Sequence, residues 1–233
     1  MTAEERHLSA RILGPILGAA LVALTCLVGG ARAQTVLNAP PSEIDTEASY
    51  VFYVHGRIIE QQGPKAVSPR FGAYQFFEIT QRLAAPGRIV IAEVRGPGGL
   101  DYVETLTGHI SRLLDAGVPA RRISVIGFSK GGYVTLRAAS RLQNPDLNYA
   151  ILAGCTAGIV SGQDRSADGV QGRLFSMVDA ADDLGFSCAP LFERTPHVED
   201  TTDLVFRTGL AHGLFYTPDA LWLAPLLEWL DAP

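Results

Sequence analysis

The chain has 233 residues, 47% of them hydrophobic and 18% charged, a balance that supports a buried core and excludes an intrinsically disordered chain. Its formal net charge of −5 is scattered along the sequence without a basic block, which argues against a nucleic-acid groove built from clustered Lys and Arg. No internal repeat or low-complexity tract is present, so solenoid and linker architectures are set aside as well.

The first 33 residues differ in kind from the rest. Arg6 and Arg11 precede an apolar run over 16–28, and Ala31 and Ala33 stand on either side of Arg32. A charged start, a short apolar stretch and an A-x-A site predict a secretory signal peptide over 1–33, cut after Ala33. That leaves one domain over 34–233, exported to the periplasm or the medium, with no stable membrane association. The alternative is an uncleaved anchor over 12–30, which approaches the length a bilayer requires. Lipoprotein processing at Cys26 is disfavoured, because Thr25 stands where a small residue is preferred.

Residues 34–48 are rich in Pro, Ser, Glu and Thr and read as an irregular lead-in. The β-branched and aromatic run 50–54 then predicts a buried strand, closed by His55 and Gly56. Residues 70–83 carry apolar side chains at helical spacing, a strand is expected over 88–93, and 96–99 form a turn. A helix follows over 100–116, then a strand over 123–127 and a helix over 131–142. Strands over 149–153, 174–178 and 203–207 and a closing helix over 220–230 complete the pattern. Continuous apolar strands alternating with helices predict an α/β domain. Its mostly parallel sheet of about six strands is covered by helices on both faces, with no room for a large lid.

Chemistry is sought where such a sheet places it, beyond the carboxyl ends of the strands. Gly127-Phe128-Ser129-Lys130-Gly131 matches G-x-S-x-G between a strand and a helix, which predicts Ser129 as a nucleophile held at the apex of a tight turn. The alternative is a Gly-rich turn that binds an anion. A serine needs a base, and the base needs an orienting acid. His212, in the glycine-flanked loop after the last strand, is the expected base, with His197 second. His55 sits at the first strand's exit, and His109 reads as a packed helix residue. Three carboxylates within five residues repel one another if all are buried and charged, so one is expected against the histidine, and Asp182, at the end of the turn, is favoured over Asp179 and Asp183. Cys155 and Cys188 each follow the carboxyl end of successive strands. A disulfide is expected between them, with two buried free thiols as the alternative. No metal is expected, since the histidines are isolated and neither H-E-x-x-H nor a paired cysteine motif occurs.

The order Ser129, Asp182, His212 on alternating strands and helices resembles the α/β-hydrolase superfamily over nearly the whole of 34–233. The resemblance implies a serine esterase with no cofactor, acting on a small-molecule ester ahead of an amide or thioester. It also implies an oxyanion hole from the backbone N–H of Lys130 and one from Arg57 or Ile58, in the His55-Gly56-Arg57 loop. In the family the acid often stands in G-x-x-D, and here Asp179 occupies the place of that glycine. The side chains of Arg57 and Lys130 are expected either to rim the cleft and attract an anionic ester or to point into solvent. The competing function is an inactive hydrolase fold serving as a binding module.

Overall fold

A computed structural model describes residues 35–98, 101–195, 198 and 200–232; the expected signal peptide and His197 lie outside the described residues. In chain order the strands are β1 (Thr35–Leu37), β2 (Ser49–Val54), the small pair β3 (Val67–Ser68) and β4 (Gly72–Ala73), and β5 (Arg88–Ile91). They continue with β6 (Ile123–Phe128), β7 (Asn148–Leu152), β8 (Arg173–Asp179) and β9 (Thr201–Phe206). The helices are α1 (Arg57–Gln62), α2 (Phe76–Leu83), α3 (Tyr102–Asp115), α4 (Lys130–Leu142), α5 (Ala157–Ser161), α6 (Ala189–Arg194) and α7 (Ala220–Asp231).

Alternation along the strands builds two cores from one sheet. In β2, Tyr50, Phe52 and Val54 face α3 and α4, where Leu106, Ile110 and Val134 meet them. Val51 and Tyr53 face the other way, toward α2 and α7, where Ile79, Leu83 and Trp222 close the second layer. The same split recurs in β7, with Tyr149 and Ile151 on the first side and Ala150 and Leu152 on the second. Because both faces are covered, the central strands read as unbroken apolar runs, as parallel strands do.

The main sheet has seven strands in the order β1-β5-β2-β6-β7-β8-β9, every neighbouring pair parallel. The expectation of about six strands misses β1. Thr35–Leu37 lies inside the segment read as irregular, yet its Thr-Val-Leu pairs with Ile89, Val90 and Ile91 of β5. The helix expected over 70–83 starts only at Phe76. The Ser68 hydroxyl accepts from the backbone N–H of Arg70 and Phe71, at 3.2 and 3.1 Å, and turns the chain into the β3–β4 hairpin. Helices α1, α5 and α6, of five or six residues each, are too short to leave a periodic signature in the sequence. No described helix is long and apolar enough to cross a membrane.

Candidate functional site

The sheet order fixes where a cleft opens. From β2 the chain moves outward to β5, returns across β2 to β6, and then advances through β7, β8 and β9. The connections therefore diverge between β2 and β6, and doubly wound sheets open a crevice at such a switch point. The loops leaving these two strands carry His55-Gly56-Arg57 and Ser129-Lys130. They are in contact: a Cβ added to Gly56 would lie 3.4 Å from the Cβ of Ser129.

Ser129 stands between β6 and α4 with φ 56° and ψ −121°. Such a conformation costs on the order of 1–3 kcal/mol in a non-glycine residue and persists only where the surroundings impose it. Here they do. A side chain at Gly127 would strike the carbonyl of Gly131, and one at Gly131 would strike the carbonyl of Val54. Behind them, Gly132 meets Gly154 so closely that an added Cβ would sit 2.7 Å from the Gly154 Cα. Helix α4 is thereby drawn against β2 and β7, and Ser129 is pushed to the apex. Among the described residues, three of the four non-glycine residues with positive φ, namely Ser129, Ala153 and Ala211, lie at this edge of the sheet.

Behind the serine turn lies a buried ionic cluster. The carboxylate of Glu60, on α1, accepts from Arg95 Nε at 2.8 Å and from Lys130 Nζ at 2.6 Å. Lys130 also donates to the carbonyl of Gly98 at 2.7 Å. The Arg95 guanidinium donates to the His55 carbonyl, and the Arg95 backbone N–H donates to His55 Nε2 at 3.0 Å. That bond assigns the ring proton to Nδ1, which donates to the Gly56 carbonyl at 2.9 Å. Burial, reinforced by the Arg95 charge, lowers the His55 pKa to about 3, so the ring is neutral. His55 and Glu60 thus brace the start of α1 against the start of α4. The N–H groups of Lys130, and of Arg57 and Ile58, belong to first turns and have no intrahelical acceptor. Glu60 and Arg95 were not legible as site residues. The available signal for Glu60 was that no other acid stands between His55 and Glu78.

The opposite side of the site comes from the loops after β8 and β9. His212 lies in a 3-10 turn, Ala211–Phe215, and is buried. Its Nδ1 donates to Asp182 Oδ2 at 2.7 Å, while Asp182 Oδ1 accepts the N–H of Leu184 and Gly185 at 2.9 and 3.1 Å. The neighbouring carboxylates have other partners. Asp179 accepts the N–H and hydroxyl of Thr208, at 2.8 and 2.6 Å. Burial opposes its ionised form, but the Thr208 and backbone hydrogen bonds outweigh burial and lower its pKa. Exposed Asp183 pairs with both carboxylate oxygens on Arg70, at 2.8 and 2.9 Å, which lowers its pKa. The ring of Phe128, adjacent to Ser129, packs on His212 with centroids 4.8 Å apart. Phe71 covers the imidazole from the hairpin side at 6.0 Å. His109, by contrast, stacks on Phe52 in the α3 layer, away from this edge.

Cys155 and Cys188 form a disulfide with Cα atoms 5.5 Å apart, both fully buried. It joins the loop after β7 to the start of α6, and the Phe186 N–H donates to the Cys155 carbonyl at 2.9 Å beside it. The cleft at Ser129 has a volume of about 210 Å³, lined by Arg57, Lys130, Tyr133, Ala153, Gly154, Thr156 and Leu184. A larger cleft of about 610 Å³, lined by Ser49, Asn148 and Arg173, opens at the amino ends of the strands, the end where such sheets do not place their chemistry. Of the two cations expected either to rim the cleft or to face solvent, Lys130 borders it with its ammonium turned back onto Glu60 and Gly98. Arg57 is exposed on the rim.

No protein-family model matches the chain, and no curated protein does. Solved structures do. Naproxen esterase (carboxylesterase NP) from Bacillus subtilis is similar with a TM-score of 0.52 at 12% identity, over 83% of this chain and 86% of its own. SOBER1 from Arabidopsis thaliana gives 0.51 at 14% identity, over 79% and 98%. The esterase Est22 gives 0.51 at 18% identity, over 83% and 74%. At such identities the likeness speaks for architecture, and it agrees with the seven parallel strands, the layers on both faces and the strand–serine–helix turn: the chain has the α/β-hydrolase fold.

Proposed function

We propose that the chain is a serine hydrolase that cleaves esters through an acyl-Ser129 intermediate, with His212 as general base and Asp182 as the acid that orients it. The observation that carries this reading is the Asp182–His212 hydrogen bond, 2.7 Å, at the edge of the sheet where Ser129 is held in a strained turn. Asp182 keeps the proton of a neutral His212 on Nδ1, so Nε2 is the nitrogen that can accept. In the first step Ser129 Oγ attacks the ester carbonyl carbon while Nε2 takes its proton. The charge on the carbonyl oxygen is met by the backbone N–H of Lys130 and of Arg57 or Ile58. Collapse releases the alcohol with the proton returned by His212, and water, activated in the same way, frees the acid.

The small cleft suits a compact acyl group, and its volume is below the range usual for drug-sized ligands. A buried disulfide supports maturation in an oxidising compartment, in keeping with export after cleavage at Ala33. The reading is tested with a fluorophosphonate probe and a series of p-nitrophenyl esters of increasing acyl length. Ser129→Ala is expected to abolish labelling and to lower turnover by roughly 10⁴-fold or more while the fold persists. Substantial turnover by that variant overturns the mechanism.

A further inference from the structure

The cleft wall beside Ser129 carries more positive charge than its own carboxylates neutralise. Two cations, Arg57 and Lys130, line the clefts beside Ser129 with one acid, Glu60; Arg95 lies behind Glu60, on a further cleft that Asp101 also lines. Both Glu60 oxygens are occupied, one by Arg95 and one by Lys130. Lys130 spends a further donor on the Gly98 carbonyl. The Arg57 guanidinium, in contrast, has no hydrogen-bond or ion-pair partner among the described residues.

Its position is specific. Arg57 borders the Ser129 cleft and also an adjoining cleft of about 240 Å³ that runs between α1, Pro97, Gly98 and the side of Lys130. The two clefts, together the groove, share Arg57 and Lys130 on their walls, so these side chains stand between the nucleophile and the Gly98 turn. Among the described residues that line the two clefts Glu60 is the one acid, and each of its oxygens already accepts from a cation. Asp164, bonded to the lining residue Tyr133, accepts from its hydroxyl at 2.8 Å and from the backbone N–H of Ser166. The groove is therefore electropositive on a chain whose net charge is −5, so the charge is local and does not reflect general basicity. A cleft lined by one sign of charge concentrates ligands of the other.

The geometry points to an ester that carries a carboxylate, bound in this groove by the Arg57 guanidinium while its acyl carbon meets Ser129. This inference rests on the serine-hydrolase reading and names the substrate class for the same site. A planar guanidinium holds both oxygens of a carboxylate through parallel N–H donors, which fixes orientation as well as charge. The Glu60–Arg95–Lys130 cluster supplies the wall behind it and keeps Lys130 from competing for the same anion.

Two matched pairs of substrates test it. The first is 4-acetoxybenzoate against its methyl ester, which places the charge on the leaving half. The second is the 4-nitrophenyl monoester of adipic acid against 4-nitrophenyl hexanoate, which places it on the acyl half. The expected result is a kcat/KM for the anionic member that exceeds its neutral partner about tenfold at low ionic strength, in one pair or both. The pair that shows it tells which half of the ester lies along the groove. Added salt should shrink the preference. Arg57→Gln should bring the ratio near one, Arg57→Glu should invert it, and Arg57→Lys should restore part of it. Because Arg57 is exposed, these variants are expected to fold, and circular dichroism checks that they do. Ratios at or below one in both pairs for the unaltered protein overturn the inference, as does a preference that survives Arg57→Gln; in both cases ester hydrolysis itself stands. Absence of fluorophosphonate labelling together with no turnover of any of the four esters removes the hydrolase reading and this inference with it.

Discussion

The two sides of the site are built by different physics. On the serine side, backbone lies against backbone: Gly127, Gly131 and Gly132 admit no side chain, and Ser129 takes its conformation because nothing else fits. On the Asp182–His212 side, loops after β8 and β9 are tied by polar and covalent links, namely Asp179 to Thr208, Asp182 to His212, Asp183 to Arg70, and Cys155 to Cys188. Close packing tolerates no substitution, whereas a network of links loses its members one at a time. Variants on the two sides should therefore fail in different ways.

The sharpest contrast is Gly131→Ala. Its Cβ would enter the carbonyl of Val54, so either β2 or α4 has to move, and the core on both sides moves with it. A loss of more than about 4 kcal/mol, or no folded protein at all, is expected in urea unfolding. Gly108→Ala, on α3 with nothing within 4 Å of the added Cβ, is the control and should fold normally. A near-neutral Gly131→Ala would show that the serine turn is less tightly imposed than its contacts indicate.

On the Asp182–His212 side the three aspartates should separate. Asp182→Asn is expected to lower kcat by about 10³- to 10⁴-fold with a folded protein, because an amide no longer holds the required tautomer of His212. Asp179→Asn should cost stability, on the order of 1–3 kcal/mol, since a buried acceptor of the Thr208 N–H and hydroxyl is altered. Asp183→Asn, at an exposed pair with Arg70, should change neither measurably. Equal, small effects on kcat at all three positions would dissolve the assignment of the acid.

The disulfide acts on the same side by covalent means. Replacing Cys155 and Cys188 together by Ser opens a link between residues 33 apart in sequence, and a loss of about 3 kcal/mol is expected from the freed unfolded chain. Because Cys188 follows the Asp182 turn closely, kcat should fall as well. A calorimetric scan and an esterase assay on the same preparation separate the two effects. Unchanged kcat would show that the hydrogen bonds alone hold the acid loop.

The same division explains what could be read from sequence. G-x-S-x-G between a strand and a helix is a local pattern, and local patterns survive in one dimension. The alternation of strands and helices was equally visible, because both faces of each central strand are apolar. The choice among Asp179, Asp182 and Asp183 was of another kind, since it depends on which carboxylate faces a histidine 30 residues later. The ionic cluster was hidden for a related reason. Glu60 sits on a six-residue helix with no periodic signature, and its partners Arg95 and Lys130 lie 35 and 70 residues away. Strand β1 escaped because three residues among prolines and acids carry too little pattern to register.

His55 offers the finest test of the serine side, because its burial has a signature in pH. The folded ring titrates at about 3, whereas an unfolded histidine titrates near 6.5. Above about pH 6.5 both states are neutral there and the group contributes no slope. Between about 6.5 and 3 the unfolded chain holds a proton that the folded chain lacks, so unfolding takes up that proton and stability falls as pH falls. One such group gives a slope of up to about 1.4 kcal/mol per pH unit. Asp179, whose pKa is lowered, adds its own loss only below about pH 4, where its unfolded form begins to protonate. Urea unfolding at pH 7.5, 6.0 and 5.0 therefore reads His55 with little interference from that carboxylate. His55→Asn should be less stable than the parent at pH 7.5, because the bonds to Gly56 and Arg95 are altered, yet flatter across the range. Parallel curves for the two proteins would mean that the proton is taken up elsewhere, and that the brace behind Ser129 does not depend on a neutral ring.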